Sequence, residues 1–351
     1  MKTNIKKTVF SDIKEITNTN VDWNRFNGKT VLITGAGGFI GSHLTEQCVE
    51  AGYNVKAFVR YNSKSNYGWL EGSKYASQIE FITGDIRDYD SVHHAVKGCD
   101  TVFHLAALIG IPYSYVSPMA YIKTNVEGTY NIVQSCREHG TENVLVTSTS
   151  ETYGTAQYIP IDEKHPLVGQ SPYSASKIGA DQIALSYFLS FNTPVKIVRP
   201  FNTYGPRQSA RAVIPTIITQ LLSGKSDIKL GHITPTRDLT FVKDTANGFI
   251  TIAQSSKFTG SVTNIGMNNE ISVGDLAKLI AEMMGKKINI ITDAQRVRPD
   301  NSEVERLYCD NTKLITNSNW KPAYNIQSGL KETIDFLEKH LHLYKPDIYN
   351  V

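Results

Sequence analysis

The sequence predicts an α/β protein, a doubly wound parallel sheet followed by a smaller C-terminal α/β part. Three observations predict it. A glycine-rich turn, Thr34-Gly35-Ala36-Gly37-Gly38-Phe39-Ile40-Gly41, follows directly on the apolar run Thr30-Val31-Leu32-Ile33 and opens a helix. Short apolar runs then alternate with helical stretches as far as residue 199, the pattern of successive βαβ units. Beyond that point Pro200, Gly205, Pro206, Pro215 and Pro235 break the chain into shorter elements, as in a region that wraps a ligand.

The elements follow in order. Residues 1–28 are polar and weakly periodic, and read as an extension, an arm or short helix with Trp23 and Phe26 as anchors. Strand Thr30–Ile33 leads through the turn into a helix from Phe39 to about Glu50, which ends at Gly52. Val55–Val59 is the second strand and Ile79–Ile82 the third, followed by a helix near Asp90–Val96 and the strand Thr101–His104. A long helix is expected over Pro118–Glu138, then the buried strands Val144–Thr147 and Val195–Val198. Gly274–Met284 and Gly329–Lys339 read as surface helices.

Composition excludes several classes of function. The chain has 351 residues, long enough to bury a sizeable core, and is 40% hydrophobic and 20% charged, like an ordinary globular protein. A net charge of +3 is too small to argue for nucleic acid or a membrane surface. No apolar run reaches the roughly 20 residues that cross a bilayer, and Met1–Lys7 lacks the apolar segment of a signal peptide. Cys48, Cys99, Cys136 and Cys309 are scattered without metal-type or redox-type pairing, so free thiols in the cytoplasm and no metal site are expected.

The turn has the spacing Gly35-x-x-Gly38-x-x-Gly41 between strand and helix. Glycine there allows a tight turn and close approach of backbone to a pyrophosphate, and the helix N-terminus at Phe39 and Ile40 offers N–H groups to phosphate oxygens. A Rossmann-type dinucleotide site follows. The end of the second strand is where an adenosine 2′-hydroxyl and 2′-phosphate are told apart. It holds Val59 and then Arg60 instead of an acidic residue. Arg60 reads as a partner for the 2′-phosphate of NADP, against the alternative of a solvated arginine beside an NAD ribose.

The chemistry concentrates in Ser148-Thr149-Ser150-Glu151 and Tyr173-Ser174-Ala175-Ser176-Lys177. Tyr173 and Lys177 lie one turn apart on one helix face. Tyrosine ordinarily titrates near 10, so a base at pH 7 needs a fall of some three units, worth about 4 kcal/mol. A lysine in a partly dry pocket, with a positive nicotinamide ring, can supply that. Lys177 can also hold the cofactor ribose. Thr149 adds a hydroxyl and Glu151 a second acid/base group.

These segments resemble the extended short-chain dehydrogenase/reductases, the NAD(P)-dependent sugar epimerase/dehydratase family, from about residue 29 to 340. The resemblance rests on GxxGxxG, on Gly84-Asp85-Ile86-Arg87-Asp88, Phe103-His104-Leu105-Ala106-Ala107, Asn125-Val126-x-Gly128-Thr129 and YxxxK. Further marks are Arg199-Pro200-Phe201-Asn202-Thr203-Tyr204-Gly205-Pro206-Arg207 and Arg237-Asp238-Leu239-Thr240-Phe241. It implies that Asp85 and Ile86 contact the adenine, and that Leu105, Ala106 and Ala107 pass beside the cofactor ribose. It also implies that Thr149 bonds the substrate oxygen being oxidised. Ser150, Asn202, Arg207, Arg237 and Arg298 would face the nucleotide sugar, with the arginines apt for its pyrophosphate. A homodimer is implied as well.

Within the family, dTDP-glucose dehydratases carry Thr-Asp-Glu where this chain has Thr149-Ser150-Glu151. GDP-mannose 4,6-dehydratases, which use NADP, show a similar Thr-Ser-Glu, so one carboxyl group would serve as base and then acid. UDP-glucuronate decarboxylases share the triplet. The runs 106–115, 172–181 and 205–215 are most similar to the dehydratases of legionaminic-acid-type nonulosonate pathways, which act on a nucleotide-linked N-acetylglucosamine.

The reading is a nucleotide-sugar 4,6-dehydratase on GDP- or UDP-linked N-acetylglucosamine, with NADP or NAD as cofactor. Residues 29–199 would form the cofactor domain, joined by returning segments near 238–266, and 200–351 mainly the nucleotide-sugar domain. A 4-epimerase, for which Glu151 is incidental, and a non-catalytic cofactor-sensing protein are the alternatives.

Overall fold

The computed structural model describes residues 28–346, so the expected N-terminal arm with Trp23 and Phe26 lies outside the described residues. Six strands arise where the apolar runs predict them: β1 (Thr30–Thr34), β2 (Asn54–Arg60), β3 (Ile79–Gly84), β4 (Thr101–His104), β5 (Asn143–Thr147) and β6 (Val195–Pro200). The shorter β7 (Asn202–Tyr204), β8 (Asp227–Leu230), β9 (Thr236–Arg237) and β10 (Leu239–Phe241) follow, and β11 (Val262–Ile265) returns to the main sheet. That sheet is parallel throughout, in the order β3-β2-β1-β4-β5-β6-β11. Strand order reverses between β1 and β4, paired from Val31↔Thr101 to Thr34↔His104, and the crevice outside their C-terminal ends is where such sheets bind ligands.

Alternation along each strand divides the core between the two faces. Val31, Ile33, Phe103, Leu145 and Val198 pack with Phe249, Ile250 and Trp320 on one side. Leu32, Val102, Val144, Val146 and Ile197 pack with Ile132, Val133 and Ala184 on the other. Both faces are covered, which is why these strands read as continuous apolar runs. A further cluster around Ile217, Ile218, Leu276, Ile280 and Leu330 holds the C-terminal part together. The expected surface helices are Val273–Met283 and Ile326–Lys339, each with one buried stripe.

One element differs from expectation. The stretch 118–138 is not a uniform helix: a π-helical segment, Ile122–Glu127, lies between Pro118–Tyr121 and Gly128–His139. Such a segment costs hydrogen-bond geometry and commonly marks a functional site.

Candidate active site

A cavity of about 990 Å³ opens over the C-terminal ends of β1, β4 and β5. At one end it is lined by Gly35, Gly38, Phe39, Ile40 and Gly41 of the turn. Gly35 has φ +69°, and a Cβ there would stand 2.9 Å from Ala106 N. The helix Phe39–Glu50 starts at Gly38 with no side-chain cap and no acidic residue in its first turn, so its positive end faces the cavity uncompensated. A bare backbone cradle at a helix N-terminus fits a dinucleotide pyrophosphate.

Arg60, Asp85, Ile86, Leu105, Ala106 and Ala107 line the same cavity. Asp85 is gripped by Arg87 through Nε at 2.9 Å and Nη2 at 2.5 Å, which holds its carboxyl at about 2. This end of the cavity has a wall that periodicity does not show. The loop from Asn62 to Gly68 folds back, and Trp69 N–H donates to Gly37 O at 3.0 Å, so Asn62, Asn66 and Tyr67 join the lining.

Thr149, Ser150, Glu151, Tyr173 and Lys177 line the deeper part. Thr149 caps the short turn Ser150–Tyr153 that ends β5, accepting the Glu151 N–H at 3.3 Å. Tyr173 and Lys177 sit in the first turns of the helix Pro172–Phe191, fixed by a Ser171/Ser174 capping box with Pro172 in its first turn. The Thr149 hydroxyl bonds the Tyr173 phenol, and the Glu151 charge reaches it. Lys177 Nζ donates to Thr147 O at 2.5 Å.

Burial pushes the Tyr173 phenol up from its ordinary value, Thr149 pulls it down and Glu151 pushes it up again. Burial likewise lowers Lys177, with Asp181 opposing. Positive charge brought into the cavity with a ligand would favour the Tyr173 phenolate.

The π segment explains part of this arrangement. Asn125, at its centre, accepts Leu108 N–H at 2.8 Å and donates to Leu108 O at 3.0 Å and Ser176 Oγ at 2.9 Å. It ties the cavity wall to the Tyr173 helix. His104 bridges Thr34 and Thr129 at 2.8 and 3.1 Å, and burial lowers it to about 3.

The expected substrate contacts divide. Asn202 and Arg298 line the cavity, and Asn202 Oδ1 is buried without a hydrogen-bond partner. Arg237 is not among the lining residues, but its charge acts with that of Glu151. Arg237 Nη2 and Arg298 Nη1 converge on Glu303 Oε1 at 3.2 and 3.4 Å. Glu303, 66 residues from Arg237 in the chain, carries no local signal. Arg207 lies elsewhere, outside the lining, with its Nη1 2.9 Å from Glu46 of the turn helix. Gln208, Ser209 and Arg211 line the cavity in its place. Among the described residues no group of three His, Cys, Asp or Glu could hold a metal, and no helix is long and apolar enough to cross a membrane.

A Rossmann-like sheet with a Thr-Ser-Glu turn and a Tyr-Lys helix at its crevice defines an enzyme of the nucleotide-sugar dehydratase/epimerase class. A family model described as GDP-mannose 4,6 dehydratase matches residues 32–333. The chain belongs to that family, within the extended short-chain dehydrogenase/reductases that act as sugar epimerases and dehydratases. It is 33% identical over 322 residues to a UDP-N-acetyl-alpha-D-glucosaminuronate decarboxylase of Bacillus cytotoxicus, covering 89% of this chain and 98% of that one. It is 30% identical over 327 residues to the dTDP-D-glucose 4,6-dehydratase of Homo sapiens, covering 90% and 92%. The solved dTDP-glucose 4,6-dehydratase DesIV of Streptomyces venezuelae, with NAD and TYD bound, superposes with a TM-score of 0.81 at 26% identity, covering 90% and 99%. The UDP-glucuronic acid 4-epimerase of Bacillus cereus, in complex with UDP-glucuronic acid and NAD, gives 0.80 at 26% identity, covering 89% and 99%.

Proposed function

We propose that the protein is a 4,6-dehydratase of a GDP- or UDP-linked N-acetylglucosamine. The observation that carries this reading is the placement of Glu151 and Tyr173 on one cavity, with the Glu151 charge acting on the phenol. A nicotinamide dinucleotide in the glycine-turn half supplies a hydride acceptor and afterwards a hydride donor. The remaining steps fall to the chain. Thr149 orients O4 of the sugar, and Tyr173 takes the O4 proton as the C4 hydride departs. The C4 ketone acidifies H5, which Glu151 removes and passes to the C6 hydroxyl, and that group leaves as water. Hydride then returns to C6, and the proton taken by Tyr173 balances the one restored to C5.

Arg298, which lines the cavity, supports a diphosphate partner, as do the nucleotide-bound neighbours. Arg60 on the cavity supports NADP, whereas those neighbours hold NAD. The exposed apolar side chains Met119, Ile122, Tyr130, Leu189 and Phe191 support a homodimer. The second reading, a 4-epimerase, is favoured by the solved epimerase and leaves Glu151 without a task. Incubation with GDP- and UDP-N-acetylglucosamine followed by mass spectrometry separates them. Loss of one water without net cofactor consumption is expected, and an isomer of unchanged mass would overturn the dehydratase reading.

A further inference from the structure

The helix that carries Tyr173 and Lys177 bears a third polar residue one turn on, Asp181, at 0% exposure. Positions 173, 177 and 181 follow one another along one helix face. Asp181 Oδ2 accepts Ser148 Oγ–H at 2.5 Å and Arg199 Nη2–H at 2.8 Å, and Arg199 Nε donates to Ser148 Oγ at 3.1 Å. Asp181 Oδ1 is buried with no hydrogen-bond partner. Arg199, from β6, is 1% exposed and lies 4.6 Å from the centre of the Tyr153 ring. Stability alone is a weak reason for such a cluster, because desolvation of a buried ion pair offsets its attraction.

Its position suggests another role. Ser148 stands between Thr147, whose carbonyl holds Lys177 Nζ, and Thr149, whose hydroxyl bonds Tyr173. We propose that Asp181 is a positioning residue for the Tyr173–Lys177 pair: its carboxylate lies one turn along the helix from Lys177, and its bond to Ser148 fixes the end of β5. This rests on the hydroxyl-oxidising role given to Tyr173 above.

The surrounding charges allow it. Lys177 faces Asp181 on its own helix and His104 from β4, and His104 is kept neutral by burial. Tyr173 faces Glu151 from the turn after β5, Tyr121 from the long helix and, more weakly, Asp181 on its own helix, all three of which push its phenol up. Burial drives Lys177 toward the neutral amine, and Asp181 is the anion that opposes it.

The test is the pH profile of kcat for the full-length enzyme and three variants, using the nucleotide sugar that the unaltered enzyme turns over. In Asp181→Asn, and in the double variant Asp181→Asn with Arg199→Met that removes both charges, the basic limb should move down by about one pH unit or more. A merely structural pair predicts that the double variant restores the wild-type profile. An unmoved basic limb in either variant that folds and binds dinucleotide overturns the proposal. Ser148→Ala keeps both charges and removes one hydroxyl, so kcat should fall several-fold with the limb in place; an unchanged kcat overturns positioning through Ser148. If the unaltered enzyme oxidises no nucleotide sugar, the reading of Tyr173 fails and this inference with it; if it does and the limbs stay put, this inference alone fails.

Discussion

Gly35 and Gly140 make a matched pair for testing the cofactor cradle. Both adopt a left-handed backbone, with φ +69° and +66°. Alanine at either position pays a conformational cost of about 1–2 kcal/mol, and each gains the same reduction in unfolded-state freedom. Their surroundings differ. A Cβ at Gly140, which ends the long helix, meets nothing within 4 Å, whereas one at Gly35 stands 2.9 Å from Ala106 N and 3.0 Å from Ala106 Cα and Leu105 C. Those are backbone atoms just beyond β4, hydrogen-bonded to Thr34, and cannot turn aside as a side chain can. The extra overlap costs about 1–3 kcal/mol. Gly35→Ala should therefore lose about 2–5 kcal/mol in total and Gly140→Ala about 1–2 kcal/mol. At roughly 2 °C per kcal/mol for a chain of this size, thermal shift should resolve the two. Because the overlap forces the turn away from the end of β4, Gly35→Ala should also weaken dinucleotide binding at least about ten-fold, or 1.4 kcal/mol, by fluorescence titration. Gly140→Ala should bind normally. Equal losses of stability together with equal affinities would refute the cradle.

Glu151→Gln should abolish water loss, by about 10²-fold or more, while dinucleotide affinity stays unchanged. Reduced cofactor should then build up at 340 nm, whereas the unaltered enzyme shows no net reduction. Arg60→Ala should weaken NADP by about ten-fold, the worth of one charge-assisted phosphate contact, and leave NAD within two-fold; a preference for NAD that Arg60→Ala does not alter would end the 2′-phosphate assignment. Burial pushes the Asp238 carboxyl up to about 7 against the N–H groups of Met267, Asn269 and Cys309. A folded-state value above the unfolded one means a contribution present at low pH and lost as pH rises through 7. The stability gap between wild type and Asp238→Asn in urea should thus shift by up to about 4 kcal/mol between pH 4 and 8, and a constant gap would count against it.

Local patterns made the sheet and the catalytic pair legible. Val31, Leu32 and Ile33 betray a strand covered on both faces because every residue of it is buried, and the Gly35-x-x-Gly38-x-x-Gly41 spacing betrays the turn because backbone sterics act within a few residues. Tyr173 and Lys177 come together through helix geometry alone. What escaped depends on distant partners. Arg207 pairs with Glu46, 161 positions away, so its motif could not show that it leaves the cavity. Glu303 and Asp181 look like ordinary surface acids until the fold brings arginines to them. The π segment around Asn125 keeps the apolar spacing of a helix, and only its contacts to Leu108 and Ser176 give its reason.

The return of β11 to the edge of the main sheet has a consequence for how the molecule comes into being. A nascent chain that has emerged only as far as residue 199 still lacks the partner of β6, and Phe249, Ile250 and Trp320 of the same core are yet to be synthesised. Its bare strand edge would invite pairing with other chains. The main sheet and its core are thus finished only by residues that come after β7 to β10.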